Sequence, residues 1–322
     1  MDEAAVLWLR TCAGNQLEPS TIGQYRSHID HHILPHLGGL RLSQINAPTL
    51  RNFEDKLVAG GRSPVLTRYV LRSLGTLLTD AQERGLVARN VARDLRGRRR
   101  RRIPDERRGI KLKIGTHIPT PTEIRALLQA AEGRFRPFLL VAIFAGLRAS
   151  ELRGLRWSDI DLARAELHVR QRADRSGRIG PPKTAAGERT VPLPADVVSA
   201  LREWKVRCPR KNGQLELVFP TRDGTVPRHD NIVTRGLWPT MLAAGVVVDG
   251  APKYKGLHSL RHFYASWCIN RKADGGLELP AKVVQGRLGH SSIVMTMDRY
   301  GHLFPRGDDN GELTAASRLL LG

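Results

Sequence analysis

The chain has 322 residues, and because a domain usually takes about 100 to 200 residues, this length predicts two domains. Its 41% hydrophobic and 26% charged residues exclude a disordered or fibrous protein. The net charge of +21, with a pI near 11.0, is best explained by a polyanionic partner, with nucleic acid first and an acidic membrane surface second.

The amino-terminal part has the pattern of a small helical domain, residues 1–95. Apolar residues recur at three- and four-residue spacing in four segments, which are residues 3–13, 20–34, 47–59 and 64–84. The pattern predicts a four-helix domain. Three histidines of the second segment, His28, His31 and His32, lack an acidic or cysteine partner that would complete a metal site, so no metal is predicted.

A strongly basic segment follows the helices. Residues 96–113 contain ten basic side chains against Asp105 and Glu106, without apolar periodicity. We expect an exposed interdomain linker over residues 96–117. Five consecutive arginines in it either are a solvated charge run or contact DNA phosphates, and phosphate contact is favoured between two domains of a basic protein. They are Arg98, Arg99, Arg100, Arg101 and Arg102.

The second predicted domain, residues 118–322, mixes helices with a few strands. Thr120 and Glu123 have capping-box spacing at the start of a helix, and a second, apolar helix ends at Gly146. Alternating residues over 166–170 and 189–193 predict two antiparallel strands, and helical patterns return after them. The fold class expected is mainly α with a small antiparallel sheet (α+β).

Other features limit the cellular setting. No stretch approaches the roughly 18 to 20 apolar residues of a membrane span, and the amino terminus does not have the pattern of a secretory signal. Three widely spaced cysteines predict neither disulfides nor a cysteine zinc site. We expect a cytoplasmic, nucleoid-associated protein with no membrane partner and no small-molecule substrate.

Side chains suited to phosphate chemistry cluster in the second domain. Arg261 follows His258 by three residues in a helical pattern, so both project from one face. Glu151, one turn after Arg148, can hold that guanidinium. Two arginines can neutralise the charge on one phosphate, and no carboxylate cluster suited to two magnesium ions accompanies them. A cationic pocket with an imidazole would also activate a tyrosine hydroxyl.

The segments that contain these residues resemble, in order and spacing, the motifs of the tyrosine recombinases of the phage-integrase type, over residues 120–305. They are Ala145–Leu152, Pro182–Thr184 before Arg189–Leu193, Leu257–His262, Leu288–Ser292 and Asp298–His302. The resemblance implies a helical SAM-like core-binding domain joined to a tyrosine-recombinase catalytic domain. It also implies double-stranded DNA with specific recombination sites as the substrate.

The resemblance further implies a role for each of six residues. Tyr300 would be the nucleophile that forms a 3′-phosphotyrosyl bond, and Arg148 and Arg261 would clamp the scissile phosphate. Lys183 would protonate the departing 5′-oxygen, and His258 and His290 would assist proton transfer. No cofactor, metal or ATP is implied. The expected assembly is a homotetramer on DNA, with residues 312–321 packing either on their own domain or on a neighbouring protomer.

Three alternatives remain open from the sequence. Tyr254, between Lys253 and Lys255, is the one serious rival nucleophile, although a DNA contact is the favoured interpretation of its position. The function could be DNA relaxation by a type IB topoisomerase, or DNA binding without catalysis. Some phage integrases also have an amino-terminal domain that binds accessory arm sites, and the sequence does not decide whether one belongs here.

Overall fold

The computed structural model describes residues 1–95, 111–209, 216–305 and 310–321. The chain divides into two compact units, Met1–Arg107 and Arg108–Gly322. The predicted boundaries at residues 95 and 117 stay predictions. The five arginines of the predicted linker, Arg98 to Arg102, lie outside the described residues.

The first unit is helical, as predicted. Up to Glu83 its helices are α1 (Asp2–Gly14), α2 (Pro19–His28), α3 (Leu34–Leu37), α4 (Ala47–Ala59) and α5 (Pro64–Glu83). A π-helical turn, Ile29–Ile33, joins α2 to α3, so these two form the single helical segment that the sequence predicts. Helix α5 begins where the Ser63 hydroxyl accepts a hydrogen bond from the backbone N–H of Leu66, at 3.2 Å. Its apolar face packs around Trp8 and Phe53.

The second unit contains ten described helices around one core. They are α6 (Pro121–Ala130), α7 (Phe135–Phe144), α8 (Ala149–Gly154), α9 (Ala195–Arg207), α10 (His229–Ile232), α11 (Trp238–Ala243), α12 (His258–Ile269), α13 (Ala281–Leu288), α14 (Ile293–Tyr300) and α15 (Asn310–Leu321). The predicted capping box starts α6, where Thr120 Oγ1 accepts from the Glu123 N–H at 3.2 Å and Glu123 Oε2 accepts from the Thr120 N–H at 2.8 Å.

Seven short strands complete the described part of this unit. They are β1 (Ile160–Asp161), β2 (Glu166–Val169), β3 (Arg172–Ala173), β4 (Ile179–Gly180), β5 (Arg189–Pro192), β6 (Val247–Val248) and β7 (Ala251–Pro252). The two predicted strands are β2 and β5, which pair antiparallel with Leu167 opposite Val191, and β1 adds a third strand beside β2. Two-stranded hairpins β3–β4 and β6–β7 were not predicted. The fold is mainly α with small antiparallel sheets, which confirms the predicted class.

A tight turn at Gly146 connects helix α7 to Arg148. Helix α7 ends and Gly146 takes the left-handed conformation, with φ of +59°. A Cβ at this position would overlap the ring of Tyr264 on α12, so glycine satisfies both the backbone and the packing. The chain then reaches Arg148 at the start of α8. Within the parts of the chain that the structure describes, no helix has the length and apolar character that a membrane crossing requires.

Candidate functional site

The two arginines of the predicted pocket are both hydrogen-bonded to the segment that precedes His290. Arg148 donates from Nη2 to the carbonyl oxygen of Gly289, at 2.9 Å. Arg261, which is 2% exposed, donates to the carbonyl oxygens of Gly146 and Leu288, at 2.7 and 2.5 Å. The bonds of Arg261 span 115 residues to Gly146 and 27 residues to Leu288, and the bond of Arg148 to Gly289 spans 141 residues. They bring together three segments that are far apart in the chain. The two cations therefore meet in one pocket.

Glu151 holds Arg148, as predicted, and it also binds Arg189. Its carboxylate accepts from Arg148 Nη1 at 2.7 Å and from Arg189 Nη2 at 2.8 Å. Burial alone would raise the pKa of Glu151, but Arg189 and then Arg148 outweigh it and lower the pKa to about 2. Arg189 was missed as a site residue, although its place at the start of strand β5 was recognised. It also donates to the carbonyl oxygen of Arg287 at 2.8 Å, so it connects the sheet to the end of α13.

Replacing Glu151 with glutamine is expected to lower the free energy of unfolding by about 3 kcal/mol at pH 7, because two arginines lose their counter-charge. The folded-state pKa of Glu151 is depressed, so its contribution is present above pH 4.5 and is lost as the pH falls towards 2. Urea denaturation at several pH values measures the difference, which should shrink below pH 4.5. Glu203→Gln, which removes an exposed ion pair with Arg207, is the control and should cost less than about 1 kcal/mol.

Two of the predicted histidines line the same pocket. The pKa of His258 is lowered to about 4 by burial and then by Arg261, and that of His290 is also lowered to about 4 by the same two causes. The surface of His258 is exposed to solvent, although nearby protein atoms are dense enough to disfavour its charged form. His290 is hydrogen-bonded through Nδ1 to Thr296 Oγ1 at 2.9 Å. Both imidazoles are therefore neutral at physiological pH in the protein without DNA.

Tyr300 ends helix α14 with its side chain turned into this pocket, where it is 2% exposed. Its ring lies parallel to that of His290, with 6.3 Å between centroids and an interplanar angle of 6°. A hydrogen bond of 2.7 Å joins its Oη to Nδ1 of His262, a residue that the sequence analysis did not select. Burial raises the pKa of Tyr300 to about 12, although Arg261, Arg299 and Arg148 lower it. The predicted activation by cations is thus present, but burial outweighs it in the protein without DNA.

Two other sequence expectations have different outcomes. Lys183 is exposed in the connection between β4 and β5. Hydrogen bonds, a ring contact and electrostatic effects connect the other predicted catalytic residues, Arg148, Arg261, His258, His290 and Tyr300. The prediction that Tyr254 contacts DNA is wrong. Its side chain is 3% exposed, and its hydroxyl donates to Glu123 Oε2 at 2.8 Å, the same carboxylate that caps helix α6.

Comparison with known proteins decides the family. The model of the phage integrase family matches residues 119–306, more than half of the chain, and includes every residue of the pocket. This chain belongs to the phage integrase family. A second model, the N-terminal SAM-like domain of phage integrases, matches residues 3–58.

Curated relatives in the phage integrase family cover nearly the whole chain. A tyrosine recombinase XerC-like protein of Caldanaerobacter subterraneus subsp. tengcongensis is 28% identical over 94% of this chain and 79% of its own length. The ICEBs1 integrase of Bacillus subtilis is 23% identical over 93% of this chain and 78% of its own length. These names confirm the predicted activity of the family, site-specific DNA recombination by a tyrosine recombinase.

Solved structures of integrases share the fold. The Tn1549 transposon integrase in complex with a circular intermediate DNA has a TM-score of 0.74 at 18% identity, covering 98% of this chain and 99% of that one. A lambda integrase tetramer bound to a Holliday junction has a TM-score of 0.62 at 19% identity, covering 90% and 77%. At these identities the likeness shows the fold, and the roles of individual residues rest on the site geometry.

Proposed function

We propose that this integrase cuts and rejoins duplex DNA at specific sites through a 3′-phosphotyrosyl intermediate formed by Tyr300. The observation that carries the proposal is the joining of Arg148, Arg261 and the segment before His290 by direct hydrogen bonds, with Tyr300 buried beside them. Such a pocket has two fixed cations for the phosphate and one hydroxyl for the attack. DNA-bound integrases with the same fold support double-stranded DNA as the partner.

In the proposed mechanism, Arg148 and Arg261 bind the non-bridging oxygens of the scissile phosphate. Their guanidinium groups are already fixed by backbone carbonyls, so little reorganisation is needed when negative charge develops on the phosphorane. Arg261, Arg299 and Arg148 are the groups that favour the phenolate of Tyr300 over the phenol. Attack by the Tyr300 oxygen forms the new P–O bond as the phenolic proton passes to the neutral imidazole of His258.

The remaining residues handle protons in this proposal. Lys183 donates a proton to the departing 5′-oxygen as the old P–O bond breaks, and its exposed loop position lets it approach bound DNA. His258 and His290, neutral in the free protein, donate hydrogen bonds to the phosphate oxygens or transfer protons. In the second half of the reaction, a 5′-hydroxyl attacks the phosphotyrosine and the Tyr300 phenol leaves. No high-energy cofactor is consumed because the phosphodiester energy is kept in the intermediate.

A plasmid assay distinguishes recombination from the topoisomerase alternative. DNA trapped covalently on the protein is first sequenced to define the recognised site, and two copies of that site are then placed on one supercoiled plasmid. Recombination between the two copies is expected, with products that depend on their relative orientation. Relaxation of plasmids with or without the sites, and no exchange between them, would contradict the proposal and favour the topoisomerase.

We also propose that the linker arginines, Arg98 to Arg102, bind the DNA backbone without recognising sequence. Replacing all five with glutamine should weaken specific and nonspecific binding alike. The slope of log affinity against log salt should become shallower by roughly 0.9 for each phosphate that the variant no longer neutralises. Titrations at several salt concentrations measure this, and an unchanged slope would mean that the arginines are only solvated.

Assembly into a homotetramer on DNA is proposed on the basis of helix α15. Its final residues Leu319, Leu320 and Leu321 are 86–87% exposed, so their apolar side chains do not pack on their own unit. A helix of 12 residues is marginal by itself in water and gains stability by packing. A neighbouring protomer is the partner that would cover this surface.

Deletion of residues 312–321 is expected to leave binding to a single site intact, because the pocket residues and the first unit are unchanged. Synapsis of two sites and recombination should fall at least about tenfold, since apolar burial between protomers is removed. Gel-shift titration measures single-site binding, and native gels with two labelled sites measure synapsis. Wild-type synapsis in the deleted protein would show that α15 has no role between protomers.

A further inference from the structure

His262 makes the one hydrogen bond described for the hydroxyl of Tyr300. It lies on α12 next to Arg261 and is 6% exposed, and its Nδ1 is 2.7 Å from Tyr300 Oη. The two rings meet edge to face, with 5.8 Å between centroids and an angle of 63°. A second edge-to-face contact, 4.5 Å between centroids, fixes the His262 ring against His258. Geometry therefore places a rigid acceptor at the oxygen that has to attack.

The charge states of His262 and Tyr300 allow the Tyr300 phenol to be the donor in their hydrogen bond. The pKa of His262 is lowered to about 3, by burial and then by His258, Arg299, Arg261 and His117, so the ring is neutral at working pH. The pKa of Tyr300 is raised, so its hydroxyl is protonated. A neutral imidazole has one acceptor nitrogen, and with Nδ1 in that role the phenol O–H donates to it.

The helix that contains the nucleophile is held to the core by few groups. Only Thr296 and Tyr300 are buried along α14, and each is hydrogen-bonded to a histidine, Thr296 to His290 and Tyr300 to His262. Without an acceptor at His262, the phenol hydroxyl would be buried and unpaired, a state that favours its departure from the pocket. The position of the nucleophile therefore depends on this acceptor.

Resting on the assignment of Tyr300 as the nucleophile, we propose that His262 is a positioning residue for the cleavage reaction. It accepts the hydrogen bond of the Tyr300 phenol and holds the ring in the pocket of its own chain. With the O–H directed at Nδ1, a lone pair of the phenol oxygen stays available to the phosphorus. His262 acts through the placement of Tyr300 before the attack, and the phenolic proton passes to the neutral imidazole of His258 as the P–O bond forms.

Single-turnover cleavage of a nicked suicide substrate, at saturating protein, tests the role of His262. Asparagine at this position can place its amide oxygen near the site of Nδ1, whereas leucine has no acceptor and glutamine reaches towards the site of Nε2. We expect His262→Leu and His262→Gln to lower the cleavage rate roughly 10- to 100-fold with unchanged DNA affinity, and His262→Asn to stay within about threefold of wild type. The ratio of the wild-type to the His262→Asn rate should not change between pH 6 and 9.

A matched control exists in the first unit, where His28 Nδ1 and Ser73 Oγ form another buried pair at 2.8 Å. His28→Leu should affect stability as His262→Leu does but leave the cleavage rate unchanged. Wild-type rates in both His262→Leu and His262→Gln would overturn the proposal. Equal slowing of the asparagine and leucine variants would also overturn it, because the ring would then act as a base. Adduct formation by Tyr300→Phe would instead overturn the proposed function.

Discussion

Substituting phenylalanine for Tyr300 is expected to abolish the covalent protein–DNA adduct while the protein still folds and binds DNA. The change removes one oxygen, which is the atom that forms the bond to phosphorus in the proposed mechanism. The substitution also removes the hydrogen bond to His262, which contributes about 1 kcal/mol to stability. Denaturing gels after incubation with a nicked suicide substrate measure the adduct, and gel shifts measure binding.

Tyr254→Phe is the matched control for this substitution. It also removes the hydroxyl of a buried tyrosine, one that is bonded to Glu123 at the start of α6. Its adduct yield should equal that of the wild type, with a small decrease in thermal stability. An adduct formed by Tyr300→Phe but not by Tyr254→Phe would reverse the assignment of the nucleophile.

Arg261→Gln is expected to slow cleavage by roughly 10²- to 10³-fold at saturating DNA, because a fixed positive charge is removed where negative charge develops. Burial and then Arg148 lower the pKa of Arg261 to about 10, so the guanidinium is still charged at pH 7. Glutamine keeps a hydrogen-bond donor but has no charge. The effect should be much smaller on a substrate whose scissile phosphate is a neutral methylphosphonate, since that group has less charge to stabilise.

Arg153→Gln is the control for Arg261→Gln. It distinguishes the loss of positive charge at the phosphate from the loss of structural support. Arg153 is 4% exposed and, like Arg261, donates to two backbone carbonyls, those of Pro227 at 2.7 Å and Asp174 at 2.9 Å. Its replacement should lower stability by an amount similar to that of Arg261→Gln, with a cleavage rate within about threefold of wild type. Similar slowing in both variants would mean that Arg261 only maintains the structure.

Features encoded over a few neighbouring residues were predictable from the sequence. The helices of the first unit follow apolar periodicity, and α6 follows from the Thr120 and Glu123 capping box. Strands β2 and β5 follow from alternation and were correctly placed. The resemblance to the recombinase motifs supplied the candidate pocket residues, five of which the structure joins.

The groups that were missed depend on partners far away in the chain. His262 and Tyr300 are 38 residues apart, and so are Arg189 and Glu151. Neither periodicity nor motif spacing reveals such a pairing, although both missed residues lie inside motifs that had been recognised. A buried polar residue becomes informative only when its hydrogen-bond partner is known.

Burial explains the two remaining differences between the sequence predictions and the structure, which concern Tyr300 and Tyr254. The cations around Tyr300 are visible in the sequence, but the burial that raises its pKa is a property of the packed pocket. Tyr254 was assigned to a DNA surface because Lys253 and Lys255 flank it. In the structure, Lys253 instead pairs with Glu123 at 2.6 Å, and the Tyr254 ring turns inward to the same carboxylate. One acidic residue thus reverses an inference made from two neighbouring lysines.

Mapping the trapped adduct is the most direct measurement of the central claim, that Tyr300 forms the bond to DNA. The wild-type protein is incubated with a nicked suicide substrate, the complex is digested with trypsin and nuclease, and the modified peptide is sequenced by mass spectrometry. Cleavage after Arg299 and Arg306 releases residues 300–306, and we predict that this peptide, or one extended by a missed cleavage, has the nucleotide on Tyr300. A nucleotide on Tyr254 or any other residue would contradict the account.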